Sequence, residues 1–442
     1  MSYLFLLLTI VASCNIIISK GSKRILVFLF SFIFLRNNLY VIENPGISAH
    51  FFILFAYVYS LFLHDELQLN WRKMPFKAIL FFLSFLLLVL GVLTKKFDLF
   101  HKIYYPITLI INDLLPLFIG FSFIKNTKEF CYVTKIVSVI AVLASIYGLW
   151  VYWIQFNPYD FLTAQIRGSS YTDFLLDSDL GRGIRLNSIC ATSHEWGLLC
   201  AFFLFFYIHF FRIKHGYRLL SFVGLILIVG ALFLSKSRSS IVSAVLGILV
   251  MLLLIKSLKK KILILIGCAS IFFVFVYNGW LDVSFITDAF AEGGGETGGS
   301  DIVLRQKQFN SALYYFYQNP LFGMGLDYFH STILKSYQFD IQEMGGFESD
   351  LYIWMIERGL IYIILSIVFI IQVFRFFLVK GGLGNVATIL GLSIWCAYWF
   401  NAFATGSAGK TVYAFFFLGV CLKMIYIIND KNESYNFSRR FG

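Results

Sequence analysis

The sequence predicts an all-α protein that crosses a membrane many times, and three observations carry that reading. Of its 442 residues 59% are hydrophobic and 14% charged, with a mean hydropathy of +0.79, far too little polar residue to cover a soluble globule of this size. Apolar runs recur along the chain, among them Phe76 to Leu93, Leu220 to Leu234, Ile241 to Ile255, Ile262 to Tyr277 and Ile361 to Phe377. These approach the roughly 20 residues that cross about 30 Å of hydrocarbon at 1.5 Å per residue, and with weaker runs added about twelve or thirteen spans are expected. Helices are forced, because an open strand in lipid would leave its amides without partners.

Taken in order, residues 1–156 read as the N-terminal set of spans. Met1 to Ser19 is the first span rather than a secretory signal, since it lacks a basic n-region and the Lys20 to Arg24 cluster follows it. One span holds Asn112 and Asp113 between Pro106 and Pro116, and Arg36 interrupts another. Buried ionisable groups of this kind mark either a proton or ion path or a pairing that holds a broken helix together. Residues 157–188 form a first long outer loop. Central spans follow over 189–278, with the short turn "SKSRSS" carrying Lys236 and Arg238. Residues 279–349 form the larger outer loop, 350–430 the C-terminal spans and 431–442 a cytoplasmic tail.

Loops of more than about a dozen residues are usually functional or disordered, and the larger one reads as both. Its opening, "EGGGETGGSD" from Glu292 to Asp301, is a glycine-rich linker; a calcium loop from Glu292, Glu296 and Asp301 lacks EF-hand spacing. "VLRQKQFNSALYYFYQNP" then predicts an amphipathic helix beside the outer membrane surface, with Val303, Phe309, Ala312, Leu313 and Phe316 as its apolar stripe and Arg305 and Lys307 off it. It stops at Asn319-Pro320, and Gly323 and Gly325 invite a tight turn rather than a phosphate loop, which would need a preceding strand and a lysine. Tyr314, Tyr315 and Tyr317 read as interface belt or packing, or as rings on which sugars stack.

The net charge of +12 does not point to nucleic acid. Lys and Arg recur in short connections on alternate sides of the spans, and assigning those sides gives roughly 22 basic residues inside against about 12 outside, with the C-terminus cytoplasmic. The seven cysteines lie almost all in apolar runs and form no CxxC pair, so they read as small buried hydrophobes, and no His or carboxylate cluster has metal-site spacing. Neither metal nor cofactor is expected.

The outer basic residues run against the positive-inside trend. Singly, headgroup contact or a local salt bridge explains each. Together, Arg182, Arg185, Lys236, Arg238, Arg305 and Lys307 suit an anionic lipid headgroup such as a diphosphate, because guanidinium forks match phosphate oxygens. Displacing a diphosphate from an anomeric carbon needs positive charge on the leaving group and a base at the attacking hydroxyl. Glu348 in "GGFESD" reads as that base or as a helix N-terminal acid satisfying the dipole. His194 and Glu195 read as acceptor-orienting groups, as the base, or as a hydrogen-bonded pair closing a helix. Glu357 reads as structural, paired with Arg358 inside a span.

The ordered set "GRGIRLNS…HEWG", "SRSS", Arg305, "FGMGLDYF" and "ESDLYIWMIERGLI" resembles the O-antigen polymerase and O-antigen ligase superfamily over roughly Arg182 to Leu360. Glu348, Ser349, Leu351, Tyr352, Glu357, Gly359 and Leu360 fill the places of the family's last motif. The resemblance implies a GT-C-like architecture and a metal-independent glycosyltransferase of the bacterial cytoplasmic membrane, with its site on the outer face. Its substrates would be polyprenyl-diphosphate-linked oligosaccharides, and its partners a flippase and chain-length regulator. Ligases usually carry His where this chain has Glu348, which favours a polymerase; His194-Glu195 stands where Glu-Pro or Asn-Pro is often found. The rivals are a ligase, which shares the site, and a lipid-linked oligosaccharide flippase or solute carrier, which should show two related halves with matched broken helices. No such internal repeat is present.

Overall fold

A computed structural model describes residues 2–35, 40–42, 47–64, 66–161, 185–213, 218–257, 261–262, 265–267, 270, 277, 302–333, 348–406 and 409–429. Arg36, Arg167, Arg182, the Glu292 to Asp301 linker, most of the Ile262 to Tyr277 run and the tail 431–442 lie outside the described residues.

Among the described residues the chain is all-α apart from one small antiparallel hairpin, Tyr40–Ile42 with Ile47–Ser48, which the sequence reading did not anticipate. The helices are α1 Ser2–Ile18, α2 Gly21–Phe34, α3 Ala49–Leu63, α4 Leu67–Lys73, α5 Lys77–Leu93, α6 Leu99–Ser122 and α7 Thr127–Ile154. After the first long loop come α8 Ser193–Ile213, α9 Arg218–Leu234 and α10 Arg238–Leu254. The second loop contains α11 Ile302–Gln318, and α12 Asp350–Glu357, α13 Gly359–Gly381, α14 Val386–Thr405 and α15 Thr411–Asn429 follow. Helices α6, α7, α13, α14 and α15 are long and apolar enough to cross a membrane, and α1, α3, α5, α9 and α10 are or contain shorter apolar helices. The expected multi-pass all-α membrane protein is borne out.

Local signals explain where these helices begin. Asn126 caps α7 by accepting from Glu129 N at 2.9 Å, and Ser237, Ser349 and Asn385 cap α10, α12 and α14 in the same way. Helix α15 is apolar on nearly every side and buried on nearly every side, as a central helix must be, with Lys423 satisfied by Asn70 Oδ1 at 3.1 Å. Its approach to α6 is close: a Cβ on Gly120 would lie 2.0 Å from Phe416 O, and one on Gly419 2.3 Å from Leu117 O. Small residues at such a crossing let backbones touch where lipid supplies no hydrophobic drive. By contrast α13 leaves Ile364, Ile367 and Ile371 exposed, the pattern of a lipid-facing helix.

The connections at one end of the bundle carry a buried ion cluster. Arg24 is 4% exposed, donates to Ser60 Oγ and to Glu66 Oε2 at 3.2 Å, and Lys125 pairs with the other Glu66 oxygen. The starts of α8, α10 and α12 and the end of α14 gather at the other end, where the candidate site lies.

Two sequence expectations need correcting. Helix α11 spans the predicted segment, but its buried face is Gln308, Ala312 and Tyr315, while Val303 and Phe309 are exposed. The buried face packs on protein, with Ala312 and Tyr315 in one cluster with Phe329, Ile333 and Ile356. A stripe chosen by hydrophobicity alone could not foresee Gln308, which is buried because its amide oxygen accepts from Glu348 N at 3.4 Å. Of the three tyrosines, Tyr315 is packed while Tyr314 and Tyr317 are exposed. Second, Glu357 and Arg358 take separate partners: Glu357 Oε1 accepts from Phe329 N at 3.0 Å, and Arg358 donates to Tyr362 Oη at 2.6 Å. They sit where α12 breaks from α13 at Gly359, whose φ of +70° an L side chain rarely adopts. The predicted turn at Gly323 and Gly325 docks against that break, through Met324 N to Ile356 O at 2.7 Å and Leu360 N to Pro320 O at 2.8 Å.

Candidate functional site

The short turn between α9 and α10 is the centre of the arrangement. Lys236 adopts a left-handed φ of +49°, which reverses the chain within a few residues, and Ser237 then caps α10 so that Arg238 opens the helix, half-buried. The exit of the first long loop is pinned on this turn: Leu186 N donates to Leu234 O at 3.0 Å and Arg185 Nη2 to Lys236 O at 3.3 Å. Arg185, Lys236 and Arg238 are thereby brought to one place.

Helix α8 begins beside them. His194 Nδ1 lies 2.9 Å from Ser237 Oγ, and Ser240 Oγ donates to His194 O at 3.1 Å. Glu195 does something different. Thr192 Oγ1 accepts from Glu195 N at 3.2 Å while the Glu195 carboxylate reaches back to Ala191 N at 3.0 Å, one residue before the cap, a close variant of a capping box. The expected His194–Glu195 pair is thus two side chains with separate partners, and Glu195, 4% exposed, serves the helix terminus.

The larger loop supplies the other half. Arg305, near the start of α11, donates through Nη1 to Ala404 O at 2.9 Å and through Nη2 to Glu348 Oε2 at 3.1 Å. Ala404 belongs to the last turn of α14, whose carbonyls have no partner within the helix and carry the negative end of its dipole. Both acceptors therefore favour a cation there. Glu348 precedes the cap residue Ser349, and its side chain remains 35% exposed beside the 37% exposed Arg305. Lys307 is exposed and does not share this face, since two residues along a helix turn about 200°. Arg182 lies outside the described residues.

Between the halves runs a polar seam that the sequence reading missed. Asn401, buried in the last stretch of α14, offers its amide N–H groups to Ser239, Ser240 and Ser243 of α10 at 3.3 to 3.4 Å. Its carbonyl oxygen accepts from Lys410 Nζ at 2.7 Å, and Lys410 also donates to Gly406 O at 2.7 Å and Thr405 Oγ1 at 3.0 Å. Burial pushes the Lys410 amine down from 10.5 to about 8, while the negative charges of Asp350, Glu195 and Glu348 pull it back up. Ser239 Oγ meets Thr405 Oγ1 at 3.1 Å, so the Arg238 turn and the Arg305 anchor share one seam. A basic residue in the brief connection "TGSAGKT" of an otherwise apolar segment was the available signal. Among the described residues no three His, Cys, Asp or Glu side chains come close enough to hold a metal ion.

What stands on this scaffold is a multi-pass membrane protein with guanidinium groups, carboxylates and a buried lysine gathered at one end of its bundle. Residues 223–365 of the chain match the family described as O-Antigen ligase, a stretch that includes the Arg238 turn, Arg305 and Glu348 and stops short of Arg185, His194, Glu195 and Lys410. This match covers about a third of the chain and agrees with the sequence resemblance to the O-antigen polymerase and ligase superfamily. No curated protein matches the chain.

Proposed function

We propose that this protein is a polysaccharide polymerase, which moves a glycan from a polyprenyl-diphosphate carrier onto the next lipid-linked repeat unit at the outer face of a bacterial cytoplasmic membrane. The observation that carries the proposal is the Arg305–Glu348 contact at the end of α14, beside the turn that bears Arg238. It joins the two groups the chemistry needs. Arg305, with Arg238 and Arg185 close along the seam, suits the diphosphate oxygens, and Glu348 suits the proton of the attacking hydroxyl.

The steps balance. The acceptor hydroxyl oxygen bonds to the donor's anomeric carbon, its proton passes to Glu348, and the bond from that carbon to the carrier phosphate breaks with its electron pair on the diphosphate. Guanidinium groups stabilise the charge that builds there. In the resting pair Arg305 holds Glu348; an arriving diphosphate competes for the guanidinium and releases the carboxylate to act as base. A site on the outer face is supported by the distribution of charge, with Lys20, Lys23, Arg72, Lys73, Lys77, Lys125 and Lys128 at the other end of the spans.

Glu348 at a position where ligases usually carry His favours polymerase over ligase. Deleting the gene and resolving the surface polysaccharide on a gel tests the choice. Single repeat units on the surface are expected. An unattached long polymer would mean a ligase, and no surface product a flippase; either result overturns the proposal.

A further inference from the structure

We infer that the half-open cavity lined mainly by α6, α12, α13, α14 and α15 is a saccharide subsite that seats one sugar ring of the acceptor glycan. The inference rests on the glycan-transfer reading above and names a part of the site that reading does not use. The cavity holds about 260 Å³, a size for one ring rather than for a lipid tail or an oligosaccharide.

Its lining combines two chemistries that a sugar needs together. Trp354, Tyr398 and Trp399 put aromatic rings in the wall, the kind of surface on which the C–H groups of a sugar pack, and Asp113, Asp350 and Arg358 put charged hydrogen-bonding groups there that suit hydroxyls. A larger hollow of about 450 Å³, between Trp71, Phe81 and Phe118, lacks this pairing and is walled almost entirely by hydrocarbon, as a lipid-facing groove is.

The polar wall is also incompletely satisfied. Among the described residues Asn112 Oδ1, Arg358 Nε and Trp399 Nε1 have no hydrogen-bond partner, although Arg358 and Trp399 are each only 8% exposed. Buried polar groups are nearly always paired, so three beside one cavity mark a polar region whose hydrogen-bonding capacity the protein itself leaves unused. The backbone is built to present them. Asn112 and Asp113 lie in a π-helical segment, Ile110–Leu114, inside α6; such insertions re-aim side chains and concentrate at functional sites.

Location ties the cavity to the reaction. Asp350 and Gly409 line it, and they stand two residues from Glu348 and one from Lys410. The cavity thus begins where the polar seam ends, and a ring held within it lies next to the proposed base. Metal binding is the poorer fit, since no three ligating side chains converge among the described residues.

The test uses the full chain in proteoliposomes. Ser366, which lines the cavity, is replaced by Cys, and alkylation at that position is followed by peptide mass in the presence of methyl glycosides of the sugars released from the host's own surface polysaccharide. One of these glycosides should slow the reaction several-fold. Protection should weaken about tenfold in Asp113→Asn, the loss expected for one charge-assisted hydrogen bond, and persist in Arg305→Ala. Asp113→Asn and Trp399→Phe, both near-isosteric and checked for monodispersity, should shorten the polymer. If no glycoside protects and both variants build full-length polymer while Arg305→Ala does not, the subsite is wrong and the reaction stands. If Asp113→Asn shifts only the pH dependence with protection unchanged, the residue belongs to a proton path and the subsite is again refuted. Normal polymer from Arg305→Ala would instead remove the glycan-transfer reading itself.

Discussion

Replacing Arg305 by Ala separates its two roles, because they differ in size. In the fold, Arg305 makes one bond to Ala404 O and one to Glu348 Oε2. The ion pair is more than a third exposed on both sides, so it is worth no more than about 1 kcal/mol, and the carbonyl bond adds about 1 kcal/mol. A loss of about 2 kcal/mol leaves a multi-pass bundle folded and its yield nearly unchanged. In the reaction, removing one preorganised donor from developing charge costs about 2.7–4 kcal/mol, or roughly a hundredfold to a thousandfold in rate. Glu348→Gln keeps an oxygen for Arg305 but takes no proton, so the rate should fall by about 10²–10⁴. The double variant should lose little more than the worse single one, because groups acting in one step are not additive. The assay is the initial rate of chain extension in proteoliposomes, normalised to folded protein, alongside the chain-length distribution on cells. Full-length polymer from Arg305→Ala, or a rate loss that matches a loss of folded protein, would refute the reasoning.

Other outcomes follow from neighbouring features. Burial holds the Lys410 amine at about 8 against 10.5 for a free lysine, so between those values the unfolded chain keeps a proton that the folded chain has released. Stability should therefore rise with pH across that window, and Lys410→Met should flatten the rise in thermal unfolding of the detergent-solubilised protein. Gly359→Ala should lower the melting temperature in detergent by more than the ~1–2 kcal/mol of a left-handed residue implies, since its Cβ would lie 2.5 Å from Gly323 N. Glu195→Gln keeps an oxygen to accept from Ala191 N, so it should change stability little and leave the rate of chain extension within a few-fold; a loss of rate comparable to Glu348→Gln would make Glu195 the base instead.

Much of the fold was legible because membrane insertion acts on composition. Long apolar runs must become helices, and the segment from Val303 to Gln318, with Pro320 behind it, announced α11 almost to the residue. The "SKSRSS" turn was legible for the same reason: a few polar residues between two apolar runs cannot leave the membrane boundary. What escaped was set by tertiary partners. The buried face of α11 includes Gln308 because Glu348, forty residues on, supplies its partner. Lys410 and Asn401 act through serines some 160 positions earlier, which no local pattern records. Thr192 and Glu195 did carry a local signature, but two ionisable side chains side by side drew a chemical reading where a helix start was being built. The π-helical segment at Asn112 leaves no trace in hydropathy, and the hairpin at Tyr40 is too short for strand alternation to show.

The strap formed by residues 320–326 across the α12–α13 break has a mechanical meaning. Met324, Leu360 and Ile361 are stitched to its two sides by main-chain bonds, so the chain segment leading from the Arg305 helix is riveted to the top of α13. Helix α13 leaves a flank of Ile364, Ile367 and Ile371 exposed, and Glu348 stands at the head of the short helix that leads into it. Arg305 and Glu348 are thus tied to α13 through this strap and the short helix before it, while the bond from Arg305 to Ala404 O ties the same pair to α14, so two neighbouring helices share the placement of cation and carboxylate.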